Sequence, residues 1–193
     1  MAEEEGNEFR WSMFREEACT IFAGVAIAVP ILHESLGWES RLGVAVLLSV
    51  FLIFLSVVDI RYGMLYDKVV FPMGCAGLML DFLGLAVEPA DGLVAACAGG
   101  GTLLFVRWAS RGGMGGGDVK LGFALGLWLG LEGTVLALFL AFLSGAAVGV
   151  SRMLWEKRRD QRMAFGPFLA FGAWMAFLYG ESIFQHYVAW AWR

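Results

Sequence analysis

Seventeen consecutive residues from Leu42 to Val58, LGVAVLLSVFLIFLSVV, carry neither a charge nor a proline. A run of that length and apolarity is what one helix needs to cross the hydrocarbon core of a bilayer. Lipid supplies no hydrogen bonds to the backbone, so only helices and closed barrels can span it. Comparable runs follow at about residues 69–87, 92–106, 119–150 and 164–179, with a shorter one at 18–31 interrupted by Pro30. With 59% hydrophobic and only 17% charged residues, a soluble domain of 193 residues could not hide its apolar surface. The sequence therefore predicts an all-α fold, a polytopic transmembrane helical bundle of about six to seven spans. Residues 1–16 are expected to be a polar cytoplasmic tail, and 17–193 a single membrane domain. The acidic start MAEEEGNEFR does not read as a secretory signal, which would open with basic residues.

Lysine and arginine placement orients the spans, because short cytoplasmic loops carry the positive excess. Arg61 with Lys68, Arg107 with Arg111 and Lys120, and the 152–162 loop with Arg152, Lys157, Arg158, Arg159 and Arg162 are expected on the cytoplasmic side. The turn at 88–91 has no positive charge and belongs outside. Beyond Lys120 the chain is apolar to Val150 except at Glu132. It must cross and return in that stretch, which favours a hairpin broken at Glu132-Gly133 over one long tilted helix. The seven-span form has its amino terminus in the cytoplasm, and six spans is the alternative. Trp190 and Trp192 suit the water–lipid boundary.

Two carboxylates stand out in this topology. Asp59 closes the second span, and Asp118 opens the fifth after the glycine turn Gly112-Gly113-Met114-Gly115-Gly116-Gly117. Both fall on the cytoplasmic side at similar depth, so residues far apart in sequence can meet. Two carboxyls close together share a proton, the charged one able to activate water and the neutral one to protonate a carbonyl or leaving amine. The plainer reading is that each marks the lipid boundary, solvated and unpaired.

Asp59-Ile60-Arg61 with Leu65 and Asp67, and Gly115-Gly116-Gly117-Asp118-Val119-Lys120-Leu121, resemble the two signatures of the prepilin peptidases, membrane aspartic proteases of the GxGD type. A third stretch, Phe165-Gly166-Pro167-Phe168-Leu169-Ala170, resembles a family segment that opens a late membrane helix. The three matches fall in the family's order over residues 42–180. Tyr66 stands where the first signature usually has proline. The resemblance implies catalysis by Asp59 and Asp118, with Gly115, Gly117, Lys120, Arg61 and Asp67 as motif or supporting residues. It implies cleavage of the leader of type IV prepilins or pseudopilins, just before a hydrophobic helix, at the cytoplasmic face of the inner or plasma membrane. The family's bifunctional members also methylate the new amino terminus and carry an insert with two CxxC pairs. This chain has no CxxC, which points to a peptidase-only form.

Other residues admit two readings each. Lys120 and Arg61 could hold a substrate carbonyl or steady the carboxylates, or could simply be positive-inside markers. Asp67 is a supporting group or a solvated loop carboxylate. Asp81, expected well inside the third span, is a functional candidate by default, though a structural hydrogen bond suits it better. His33 and His186 fall at outer span ends and read as interfacial. Cys19, Cys75 and Cys97 show neither metal-ligand nor disulfide spacing. The runs Gly99-Gly100-Gly101 and Gly145-Ala146-Ala147 suit close helix contact. No metal, organic cofactor or nucleic-acid partner is expected; the bilayer and a prepilin-like substrate are, with the oligomeric state open. Two rival functions remain. One is a presenilin- or signal-peptide-peptidase-like protease, disfavoured by Val58 where those enzymes favour tyrosine. The other is a small transporter using Asp59, Asp81 and Asp118 as a cation path.

Overall fold

In the computed structural model, the described residues are 12–36, 40–111, 113–156 and 164–191. They form α1 (Ser12–Leu36), α2 (Ser40–Tyr62), α3 (Asp67–Phe82), α4 (Pro89–Ala109), α5 (Gly116–Glu156) and α6 (Gly166–Ala191), with no strand among them. Three stretches are long and apolar enough to cross a membrane: Arg41–Tyr62, Pro89–Ala109 and Gly116–Trp155. Thr20–Glu34 and Gly166–Gly180 are shorter apolar helices. The fold is the all-α polytopic bundle expected from the apolar runs. Helix α1 starts within the stretch expected as a tail, and residues 1–11 lie outside the described residues. So do Lys157, Arg158, Arg159 and Arg162 of the basic loop, Trp192, and the side chains of Cys19, His186 and Trp190.

Helix α5 is two helices. A Cβ placed on Gly99 of α4 would lie 2.7 Å from the Gly122 carbonyl oxygen and 2.9 Å from Thr134 Cγ2. A straight helix would hold residues 122 and 134 about 18 Å apart, so the chain turns back between them. The reversal is at Gly130, with φ 66° and ψ −179°, a conformation open almost only to glycine. Asp91, in the first turn of α4, faces it and accepts the Leu131 N–H through Oδ2 at 3.1 Å. That bond satisfies one of the orphan donors at the start of the returning arm. The hairpin break expected at Glu132-Gly133 thus falls two residues earlier, at the glycine that Asp91 addresses.

Other boundaries move for local reasons. Helix α2 runs on past Val58 to Tyr62, where Gly63 with φ 63° stops it and donates its N–H to the Asp59 carbonyl at 2.8 Å. Asp59 is therefore in the last turn of α2, not beyond it. The third span ends at Phe82 and not near Val87, because Gly84 adopts φ 68° and the Leu85 N–H bonds back to Leu80. This sets Asp81 in the final turn of α3. The last helix continues past Tyr179 to Ala191.

Burying a leucine gains little when the alternative is lipid, so packing and hydrogen bonds must hold the helices together. Small residues let backbones approach: Gly126 in the first arm of α5 (116–129) presses on the Ala95–Ala96 backbone of α4. Gly172 of α6 likewise sits against Ala137 in the second arm (131–156). The expected contact runs are only partly used, since Gly99 and Gly100 are covered whereas Gly101 faces open space. Trp128, fully buried, lies over Gly77 and donates Nε1–H to the Met73 carbonyl at 2.9 Å, joining α3 to α5. Trp174 Nε1–H donates to Ser49 Oγ at 3.0 Å, joining α6 to α2.

These contacts bring the end of α2, the starts of α3, α5 and α6, and the middle of the returning arm to one end of the bundle. Gly166 meets Asp59, Gly117 meets Leu65, and Gly145 meets Phe165 there. The opposite end holds the 83–88 turn, Asp91 and Gly130.

Candidate active site

Asp118 is the third residue of α5, and the glycines before it serve two purposes. The Gly115 N–H donates to Asp118 Oδ2 at 3.2 Å, so the carboxylate caps its own helix. Gly117 is needed for close approach, since a Cβ there would lie 2.6 Å from Leu65 Cβ. The loop of the first motif is thereby seated on the turn of the second. Gly116 in turn lies against the Arg107 guanidinium, which a side chain at 116 would strike.

Asp59 reaches the same place from α2. Its Oδ2 accepts the Gly166 N–H at 2.8 Å, one of the orphan donors in the first turn of α6. Asp118 thus sits at the amino terminus of its own helix, and the Asp59 carboxylate faces that of α6, where the backbone dipole favours negative charge. Both are buried, Asp59 at 5% exposure and Asp118 at 7%. They line one cavity of about 390 Å³, together with the 63–68 loop and Gly115–Gly117.

The supporting residues divide. Lys120 Nζ pairs with Asp67 Oδ2 at 2.5 Å, linking the two motifs directly. Both side chains are more than half exposed, so the link orients more than it stabilises. Asp67 lines the cavity, whereas Lys120 and Arg61 do not. Tyr66 precedes α3 with φ −79°, within the range proline would impose, so the backbone here is one that the motif's usual proline could also adopt.

Asp81 is elsewhere. It caps the far end of α3, accepting the Val87 N–H through Oδ1 at 3.1 Å. It lies fourteen positions along α3 from Asp67, about 21 Å along the axis. It does not line the cavity, so no single route through this opening joins the three aspartates. His33 lies on α1, also away from the cavity. Among the described residues, no group of three or more His, Cys, Asp or Glu could hold a metal ion.

Gly166 is the residue that sequence reading left without a role. The Phe165-Gly166-Pro167 segment was visible as a motif, but only the fold shows that its glycine faces Asp59. A Cβ there would stand 2.6 Å from Asp59 Oδ2.

The type IV leader peptidase family matches residues 46–150, a stretch that includes both aspartates. The prepilin leader peptidase/N-methyltransferase of Aeromonas hydrophila is 34% identical over 178 residues, covering 89% of this chain and 60% of that protein. The protein of the same name from Xanthomonas campestris pv. campestris is 36% identical over 164 residues, 80% of this chain and 55% of its own length. That from Bacillus subtilis is 32% identical over 151 residues, 75% and 58% respectively. The chain spans about three fifths of the length of these relatives. No solved structure matches it. A family match over more than half of the chain, with relatives a third identical along most of it, establishes that this protein belongs to the type IV leader peptidase family.

Proposed function

We propose that the protein is an aspartic endopeptidase that removes the leader of type IV prepilins or pseudopilins, with Asp59 and Asp118 as the catalytic pair. The observation that carries this reading is the shared cavity. Two buried carboxylates from separate motifs line it, each held by a backbone N–H at a helix start.

In this reading one carboxyl is charged and the other holds a proton, because close like charges in a poorly solvated site do not both persist. The charged member takes a proton from water as the water oxygen bonds to the scissile carbonyl carbon. The neutral member protonates the carbonyl oxygen. The C–N bond then breaks, and a carboxyl proton goes to the leaving amine. Every proton in this cycle is supplied by the pair and water, so no metal or organic cofactor is required.

The cavity is proposed to face the cytoplasm of a plasma or inner membrane. Arg61, Lys68, Arg107, Arg111 and Lys120 gather at its end of the bundle, while the 83–91 turn at the other end has no lysine or arginine.

The test is leader cleavage in membranes, with a prepilin from the same genome as substrate. Wild type should cut, Asp59→Asn and Asp118→Asn should not, and chelator should leave cutting unchanged. Cleavage surviving in both aspartate variants would overturn the assignment.

A further inference from the structure

A second cavity opens beside the first. It is a groove of about 530 Å³ between α3 and the first arm of α5, and Asp67 lines both spaces. The Asp67–Lys120 ion pair lies where they join, and beyond it the walls are apolar. Lining positions recur every three or four residues on both helices, from Asp67 to Leu78 and from Val119 to Leu127. Both helices start at the carboxylate cavity and run away from it, so the groove leads from the cavity into the bilayer for about 16 Å.

We propose that this groove seats an apolar helix of the substrate polypeptide, the segment adjoining the bond to be cut. This rests on the peptidase reading and adds the subsite that holds the substrate. Three observations select a helix over other occupants. An extended peptide at this depth would leave backbone groups without hydrogen bonds in lipid, whereas a helix satisfies its own. The three-to-four-residue spacing on both walls is the spacing into which the ridges of a third helix fit. Small residues form the floor and large ones the rims: Gly74 faces Ala124, with Phe71 and Phe123 exposed on either side. Continuity at Asp67 selects the substrate over a lipid chain, since whatever fills the groove abuts the peptide held in the cavity.

The floor can be raised without disturbing the bundle. A Cβ on Gly74 meets nothing nearer than 3.7 Å, so Gly74→Leu should fold and fill the groove. Native Cys75 is exposed within it and can report occupancy.

The experiment uses the full chain in lipid nanodiscs, with Cys19→Ser and Cys97→Ser, and a prepilin carrying single cysteines through its apolar segment. Disulfide trapping to Cys75 should peak with the substrate cysteine roughly eight residues from the cut, matching the distance along α3 from Asp67 to Cys75. It should recur at helical spacing. Gly74→Leu should abolish trapping and raise KM for the whole prepilin about tenfold more than for a leader peptide ending just past the cut. Should Gly74→Leu fail to fold, Phe71→Ala, which removes a rim, should show the same selective loss. Trapping no stronger than in a Cys97-only protein would overturn the proposal, as would equal loss on both substrates or no change in KM. If wild type cuts neither substrate, the peptidase reading fails instead, and trapping still reports on the groove because it needs no turnover.

Discussion

The Gly166 N–H points at Asp59 Oδ2 from 107 residues along the chain, at 2.8 Å in a buried site. This one bond makes the start of α6 part of the candidate active site, although α6 contributes no titratable group there. Gly166→Ala keeps the N–H but drives a methyl towards the carboxylate, 2.6 Å away. A displacement of about 1 Å can cost on the order of 100-fold in rate, so kcat should fall by about that factor. Helix content by circular dichroism should stay at the wild-type level. Unchanged kcat would show that Asp59 is not held by this contact.

Asp81 separates a cation path from a peptidase. Asp81→Asn keeps the oxygen that accepts the Val87 N–H, and cleavage should equal wild type. Asp81→Leu leaves that N–H unpaired and should lower stability by about 1–3 kcal/mol, read as a lower melting temperature in detergent. Loss of cleavage in Asp81→Asn comparable to that in Asp59→Asn would favour the ion-path reading.

The Asp67–Lys120 pair should behave as one unit. Asp67→Asn and Lys120→Gln should each shift stability by less than about 1 kcal/mol because both groups are exposed. Their effects on cleavage should not add, the double variant resembling either single one. Strict additivity in a double-mutant cycle would mean that the contact has no functional weight.

Gly130 should tolerate no side chain. Its φ of 66° with ψ −179° costs other residues about 1–3 kcal/mol, and a Cβ would also run into Asp91. Gly130→Ala should therefore lower thermal stability clearly more than Gly133→Ala, whose backbone is not in that region. Equal melting temperatures would count against the reversal at 130.

Helical class, membrane character and the pair of candidate aspartates were all legible from residue order. Apolar runs of bilayer length admit only helices or barrels, and basic loops orient them, so Asp59 and Asp118 could be assigned to one face before any contact was known. Where helices stop was less legible. Gly130 and Gly133 are the same residue type in the same kind of sequence, and only the approach of Asp91 from α4 selects one of them. The sequence likewise offered Lys120 as a possible partner for the carboxylates, whereas the fold directs it to Asp67.

What the sequence by itself determined is thus one-dimensional: which stretches are apolar enough for lipid, where lysine and arginine cluster, and which residue types stand at the boundaries. Tertiary structure decided the pairings: Gly166 with Asp59, Leu65 on Gly117, and a groove joining the carboxylate cavity to the bilayer. The physical reason is that hydropathy and charge act on each segment separately, through transfer between water and lipid. Helix contacts in lipid depend instead on how backbones approach at small residues and where unsatisfied N–H groups point. Those are properties of pairs of segments, and they exist only once the helices have packed.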